Sequence, residues 1–535
     1  MTYLLLTGAT GLLGRYLLRD LLLADQPVAV VARRSATASA RHRIDAVLRR
    51  WEASRSLPRP VVLEGDITRP DLGLDAAALD WLRENCSGVV HSAATLTFHE
   101  SAAGEPWRTN VQGTQHVLDV CRRTSLRKFF HVSTAYVCGL RSGRVCERDL
   151  DVGQQAGNDY ERSKLQAEAL VRAADFLERP TILRPSIIVG DSQNGFTSTY
   201  HGFYTPLKLG CELVRTPGRF PIVSGFRLLA GLGLSGRERK NLVPVDWVSA
   251  VATHIISRAE HHGQTYHLTH PQPVTASVIE RVLVDAIAAH AANADSSTVG
   301  MPVDSPSLIG IGDDASHALC GLPDHGDAGE EFFRAHMEVY RPYFRDDPDF
   351  DATNANRAAP HLPCPVVDRA SLLRLAQAAL RANFGWPKAS ETPPALDIQE
   401  YLLRQLEREP ERSPRDLARG ACIGLEVSGS GGGHWQLHFA DDDRLVGVTP
   451  GLGKSCRARF FLSVQTFAAL IHHQLGCEEA IFAGRVIVDC GDLGERDLVA
   501  ALRILVAEPH ALGRHGNALS STDPQRPKSL SKAAQ

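Results

Sequence analysis

A chain of 535 residues has room for three or four domains at roughly 150 residues each. Hydrophobic residues make up 43% and charged residues 22%, which excludes wholesale disorder and collagen-like repeats. Lys+Arg 58 against Asp+Glu 61 leaves a net charge of -3, so there is no overall electrostatic drive towards nucleic acid.

Tyr3–Leu6 reads as a buried strand and Leu12–Leu23 as a helix. Val28–Ala32 and Val61–Leu63 follow as strands, and Gly88–His91, Phe129–Val132 and Thr181–Leu183 repeat the theme. Strands alternating with helices predict an α/β unit of Rossmann type, a doubly wound parallel sheet covered on both faces. From Phe196 to Leu242 the pattern loosens. Phe203, Tyr204, Phe220, Phe226, Leu228 and Leu229 cluster there; they read either as ordinary core or as the lining of an acyl tunnel or a peripheral membrane contact. Val243–Asp246 looks like a strand end feeding the helix Trp247–Ile256, and Tyr266–Leu268 like another strand.

Residues 271–395 read as a mainly helical segment and linker. Val278–Ala294 is Ala- and Val-rich, and Glu330–Tyr343 and Ala370–Phe384 carry apolar residues at helical spacing. Trp386–Lys388 and Glu391–Pro394 have linker composition. Residues 396–512 form a small α+β unit: helix Leu396–Arg408, strands Trp435–Phe439 and Arg457–Leu462, helix Val464–Gln474, strand Arg485–Val488 and helix Glu495–Val506. Residues 513–535 are polar and predicted to be disordered. Eleven Cys, none spaced C-x-x-C, are too sparse for a disulfide scaffold and are expected as buried thiols of a reducing compartment. No metal site is expected. The start lacks the basic residues and long apolar region of a signal peptide, and no run reaches the roughly 18–20 apolar residues of a membrane span; the expected location is cytoplasmic.

The strongest local signal is Thr7-Gly8-Ala9-Thr10-Gly11-Leu12-Leu13-Gly14, between the first strand and the first helix. Gly8 permits the tight turn, Gly11 lets the backbone approach a pyrophosphate, and Gly14 lets helix pack on strand. The helix start, with Thr10, Leu12 and Leu13 around it, supplies free N–H groups and a partial positive charge. The second strand ends in Arg33-Arg34. Arginine there suits a 2′-phosphate, where NAD-specific sites place a carboxylate; the expected cofactor is NADPH, with NADH second. The other reading of these arginines is a solvated basic surface continuing through Arg41, Arg43, Arg49 and Arg50. Asp66, after the third strand, fits an adenine-contacting turn or a helix cap.

Tyr160 and Lys164 stand four apart, on one face of a helix. A nearby ammonium would lower the phenol's pKa, and such a tyrosine can donate a proton to a carbonyl oxygen as hydride arrives. Val132-Ser133-Thr134-Ala135-Tyr136 presents hydroxyls at the C-terminal edge of the sheet, where ligands of open α/β sheets bind.

Glycine loop, hydroxyl turn and Y-x-x-x-K together resemble the extended short-chain dehydrogenase/reductase family over residues 1–270. His91-Ser92-Ala93-Ala94, Thr109–Thr114 and Leu183-Arg184-Pro185-Ser186 belong to the same likeness. The resemblance implies a catalytic triad of Thr134, Tyr160 and Lys164, with Ser133 as the adjacent alternative hydroxyl and Lys164 also holding the nicotinamide ribose. It implies that Ala93 and Asn110 line the cofactor site and that Pro185 and Ser186 flank the nicotinamide. The turn Val132–Val137, with Tyr340–Phe344 and Phe350–Asn354, looks like the fatty acyl-CoA reductase and thioester reductase branch. That branch implies reduction of an acyl-CoA or acyl-carrier thioester, or a related lipid carbonyl, to aldehyde or alcohol. With the chain opening directly on its first strand, the thioester is expected to arrive on CoA or a separate carrier. The alternatives are an oxidoreductase or epimerase of a sterol or nucleotide sugar, and a lipid carrier with a regulatory nucleotide fold. Leu462-Ser463-Val464-Gln465-Thr466-Phe467, then Gly484-Arg485-Val486-Ile487-Val488 and Gly491-Asp492, resemble the sterol carrier protein-like lipid-binding domain, which implies an acyl or sterol ligand; a purely structural appendage is the other reading.

Overall fold

The computed structural model describes residues 2–35, 38–51, 57–215, 228–296, 326–386, 396–406, 422–429, 431–440, 444–453, 456–490 and 495–506. The expected linker positions Pro387–Pro394, the tail 513–535, and Phe220, Phe226, Gly491 and Asp492 of the sequence reading lie outside them.

The chain begins β1 (Tyr3–Thr7), α1 (Leu12–Leu23), β2 (Val28–Ala32), α2 (Ala40–Arg49), β3 (Val61–Glu64), α3 (Ala76–Asn85), β4 (Cys86–His91), α4 (Gly113–Thr124), β5 (Lys128–Val132), the short β6 (Arg144–Val145), α5 (Asp159–Ala173) and β7 (Thr181–Pro185). After β8 (Ile187–Val189), β9 (Arg239–Lys240) and β10 (Leu242–Pro244), β11 (Thr265–Leu268) completes a seven-stranded parallel sheet in the order β11-β7-β5-β4-β1-β2-β3. Alternation along each strand supplies two cores. Leu4, Leu6, Val28, Val30 and Ala32 face α1, α2 and the helix Val245–Ile256. Tyr3, Leu5, Ala29 and Val31 face the other way, towards α3, α4 and α5. Burial on both faces explains why these strands read as unbroken apolar runs.

The boundary expected at residue 270 is absent from the packing. Beyond β12 (Val274–Thr275), the strand β13 (Asp349–Phe350) pairs in parallel with β6. Ala355, Ala358 and Ala359 join the same core as β1. Glu147 ties the parts together, accepting hydrogen bonds from the backbone N–H groups of His267 and Asn354. The helices Ala276–Ser296 and Arg369–Arg381 close a further core around Phe203, Tyr204 and Leu207. Phe203 and Tyr204 are therefore core side chains, buried away from any membrane. The described part of the helical segment thus packs into the N-terminal unit, as far as Phe384. The helix expected over Glu330–Tyr343 regularly ends at Met337 and tightens over 338–343, because Pro342 lacks the N–H and fits only such a turn.

The C-terminal domain is a five-stranded mixed sheet, β14 (Cys422–Ser428), β15 (Gly433–Phe439), β16 (Leu445–Pro450), β17 (Ala458–Ser463) and β18 (Val486–Cys490), in the order β16-β15-β14-β17-β18. Its helices Ile398–Gln405, Val464–Ile471 and Glu495–Val506 bury Leu402, Phe467, Leu470 and Leu502 against Trp435 and Phe460. The helix from Val464 stops at Ile471 rather than Gln474, since His473 takes a left-handed conformation (φ 53°). The described cysteines are all free, and Cys422 and Cys456 stand 3.6 Å apart and only partly buried, unlike the buried thiols expected. Among the described residues no helix is long and apolar enough to cross a membrane, and no cluster of three or more His, Cys, Asp or Glu is arranged to hold a metal ion.

Candidate active site

The glycine loop joins the C-terminal end of β1 to α1. Gly8 has φ 77°, and a Cβ there would lie 2.6 Å from the Ala93 nitrogen. A Cβ on Gly14 would collide with the Gly8 carbonyl at 2.0 Å. Gly11 is the helix N-cap and offers no side chain to the first N–H groups; a Cβ on it would meet only the Gly8 carbonyl, at 3.3 Å. The space a side chain would fill is open beside the N–H groups at the Leu12-Leu13 helix start, a geometry that fits a pyrophosphate. Thr7 Oγ1 hydrogen-bonds His91 Nδ1 at 2.8 Å and accepts from the Ala93 N–H, fixing the loop to the end of β4.

At the end of β2, Arg33 is 61% exposed in its side chain and only loosely paired with Asp66, at 3.9 Å, which leaves it able to turn to a phosphate. Arg34 is engaged with Glu64 at 2.8 Å. Asp66 caps no helix: its Oδ1 accepts from the N–H and hydroxyl of Thr68, closing a turn. Arg43, which sequence reasoning grouped with a solvated basic surface, instead donates to the Arg33 carbonyl at 2.7 Å and to Thr10 Oγ1 at 3.3 Å. The signal was its place one helical turn into α2, facing the loop. Arg41 also departs from that reading: it is buried and donates to the Gly432 carbonyl at 2.6 Å.

The second half of the site forms where β5 and α5 meet. Asn158 caps α5, its Oδ1 accepting from the Glu161 N–H, and one helical turn brings Tyr160 and Lys164 to the same face. Thr134 is hydrogen-bonded to the Tyr160 side chain, and its Oγ1 also reaches the Pro185 carbonyl at 3.4 Å. Ser133 does not share that position. Its hydroxyl is buried near Glu168 without good hydrogen-bond geometry, and no contact ties it to Tyr160. Lys164 Nζ donates to the Val132 carbonyl at 2.8 Å. Asn110 bridges the Thr95 backbone to Ser163 on α5, placed by a wider turn at Trp107–Gln112. Ser186 faces Asn241 at 2.7 Å.

Burial, and then Glu161, raise the Tyr160 phenol above its ordinary value; the hydrogen bond with Thr134 pulls weakly the other way. The Lys164 ammonium is directed at the Val132 carbonyl. Burial also brings Lys164 itself down to about 8, against a smaller upward pull from Glu168. Glu168 is held low by Arg184 despite its burial. Their bidentate pair, at 2.7 and 3.0 Å, is completely buried.

Sequence reasoning missed the aromatic wall beside Tyr160. Phe98 lies 6.2 Å from the Tyr160 ring, 5.3 Å from Tyr340 and 5.7 Å from Tyr343. Tyr343 accepts from Asn158 Nδ2 and donates to Glu161. No spacing rule links residues this far apart in the chain.

A parallel doubly wound sheet with a glycine loop and a Tyr–Lys pair at its C-terminal edge is the arrangement of a nicotinamide-dependent oxidoreductase. Residues 6–252 match the NAD-binding family described as "Male sterility protein". The isonitrile lipopeptide synthase of Mycobacterium tuberculosis is 32% identical over 213 residues, covering 35% of this chain and 8% of that protein. The L-2-aminoadipate reductase large subunit of Penicillium chrysogenum is 28% identical over 283 residues, covering 49% and 18%. This chain spans between 5% and 27% of the length of such curated relatives. Among solved structures, the terminal R domain from the myxalamid PKS-NRPS pathway superposes with a TM-score of 0.52 at 24% identity, covering 72% of this chain and 92% of that one, a likeness of fold.

Proposed function

We propose that this chain is an NADPH-dependent reductase of an acyl thioester carried on CoA or a carrier protein. The observation that carries the reading is the placement of Thr134 and the protonated Tyr160 together at the sheet edge that also presents the glycine loop. A nicotinamide held by the glycine loop and Lys164 would supply hydride for the thioester carbonyl carbon. Tyr160 then holds the proton for the oxygen on which charge develops, and Thr134 offers a second hydroxyl beside it. The hemithioacetal so formed collapses: the carbon–sulfur bond breaks with its electron pair on sulfur, the hydroxyl proton passes to that sulfur, and an aldehyde and a free thiol remain. Phe98, with Tyr340 and Tyr343 packed on it, flanks the Tyr160 ring. The likeness to a lipopeptide synthase and an aminoadipate reductase supports a carrier-bound acyl group. The test is NADPH consumption against acyl-CoAs, acyl-carrier thioesters, fatty aldehydes, sterols and sugar nucleotides, with products identified by mass spectrometry. Turnover of sugar nucleotides or sterols alone would overturn the thioester reading.

NADPH is favoured over NADH by loosely paired Arg33 with Arg43 behind it. Arg33→Ala removes a charge-assisted contact of about 1.5–3 kcal/mol, so NADPH affinity falls about 10- to 100-fold while NADH affinity hardly moves. Equal losses would refute the 2′-phosphate contact. For the C-terminal domain we propose an acyl or sterol ligand held between the sheet and its helices; the support is its apolar interior of Phe460, Phe467, Leu470 and Ile471. These side chains pack on one another, so a ligand would have to part them. Competition between a fluorescent fatty-acid probe and unlabelled lipid on the full chain tests this.

A further inference from the structure

Helix α2 has two working faces. Arg41 and Asp45, one turn apart, point into the C-terminal domain. Arg41 donates to the Gly432 carbonyl and lies over the Trp435 ring at 5.3 Å. Asp45 accepts from the Gly431 N–H at 3.2 Å. Next to them His42 stands 3.5 Å from Asp397, the N-cap of the helix Ile398–Gln405. Arg43 lies about 160° around the helix from Asp45, at 100° per residue. It reaches the glycine loop at Thr10 and the end of β2 at the Arg33 carbonyl. Arg41 and Asp45 are both almost completely buried. A cation sealed in this way needs partners: Nη1 finds its acceptor on the hairpin between β14 and β15, the opposing charge is Asp45 on α2 itself, and Nε and Nη2 are buried without a hydrogen-bond partner.

We propose that the C-terminal domain positions the adenosine-phosphate end of the cofactor site: it clamps one face of α2 through Arg41 and Asp45 so that Arg43, on the opposite face, is held against Thr10 and Arg33. This rests on the reading of the glycine loop as a dinucleotide site. Arg41 is a positioning residue, distant from the reacting atoms. Its removal frees α2 to shift, and the loss falls on the phosphate-bearing end of the cofactor.

The test uses the full chain and equilibrium binding of NADPH and NADH, followed by fluorescence. Arg41→Met keeps the length and removes the charge. NADPH should bind about 5- to 30-fold more weakly, within the usual range of coupling between sites. NADH should lose less, and turnover at saturating NADPH should be unchanged. Arg41→Lys should restore part of the affinity. Gly433→Ala probes the same contact from the other domain, because a Cβ there would lie 2.6 Å from Arg41 Nη1 and 2.8 Å from the Trp435 ring beneath it; it should reproduce the loss, and it decides the matter where its urea midpoint matches the wild type and Arg41→Met does not fold. Hydrogen exchange across Ser39–Arg49 should quicken in both variants. A wild-type chain that binds no dinucleotide overturns the glycine-loop reading and this proposal with it. A wild-type chain that binds, alongside variants that bind as tightly, overturns the positioning role alone.

Discussion

In the proposed reaction Tyr160 is the acid. Its burial keeps the phenol protonated through the physiological range, and reduction of a carbonyl requires that form. Tyr160→Phe should lower turnover about 10²- to 10⁴-fold with NADPH affinity unchanged, read by steady-state rates beside a binding titration; near-normal turnover would remove Tyr160 from the mechanism. In the same proposal Lys164 sets the alkaline limit. Its ammonium is charged below about 8 and neutral above, so affinity for the anionic cofactor, and with it kcat/KM, should fall as pH rises through about 8. Stability moves the other way. Between about 8 and the ordinary lysine value near 10.4, the unfolded chain holds a proton that the folded chain has released, so this lysine's contribution to folding improves with rising pH. A pH–rate profile and urea titrations at pH 7.5 and 9.5 separate the two trends; a rate that stays flat to pH 10 would show that the Lys164 charge is not needed.

At the scale of elements, α5 and β7 are joined by the buried pair Glu168–Arg184. Arg184→Met leaves the carboxylate buried without its bidentate partner, which costs about 3–5 kcal/mol and should appear as a lowered urea midpoint with an unchanged slope. A shift near zero would mean that Arg172, 2.8 Å from the same carboxylate, suffices. The strands of the reductase sheet were legible because burial on both faces leaves an apolar run bounded by glycines. So were the glycine loop and the Tyr160–Lys164 spacing, both local patterns. Two strands of the C-terminal sheet were missed. In β14 the buried residues alternate as Ile423, Leu425 and Val427, a signal shortened by Gly424 and Glu426 between them. β16 carries Gly447 and mostly half-buried positions, so its pattern is weak. Arg41 looked like surface because a basic residue on a polar helix is normally solvated; only the hairpin 390 residues later buries it. The break at 270 was misplaced for a related reason, since β13 joins β6 across 200 residues of sequence.

For the molecule as a whole, the reductase and C-terminal domains share an aromatic seam. Tyr3 packs on Trp81 at 5.2 Å and meets His434 at 3.5 Å, and Gly451 lies so close to Trp81 that a Cβ would be 2.3 Å from the ring. Removing residues 396–535 should therefore have two separable effects. Apparent KM for long-chain substrates should rise more than for short ones if the domain concentrates lipid near the site, whereas weaker NADPH binding should be independent of chain length. A loss shared equally by all chain lengths, at saturating cofactor, would make the domain structural rather than lipid-carrying.

The order of the seven-stranded sheet has one more consequence. Its outer strands are β3 and β11, and an uncovered parallel edge is a template on which other chains can add strands. Here neither edge is bare. Strands β15 and β16 lie against β3, and the helix Thr353–Ala358 closes on β11, with Asn354 Nδ2 donating to the Thr265 carbonyl at 3.0 Å. The two segments that sequence reading set outside the reductase domain are thus the ones that keep its sheet from recruiting neighbours. A reductase cut back to residues 1–270 would present both edges at once, and its characteristic failure would be self-association rising with protein concentration.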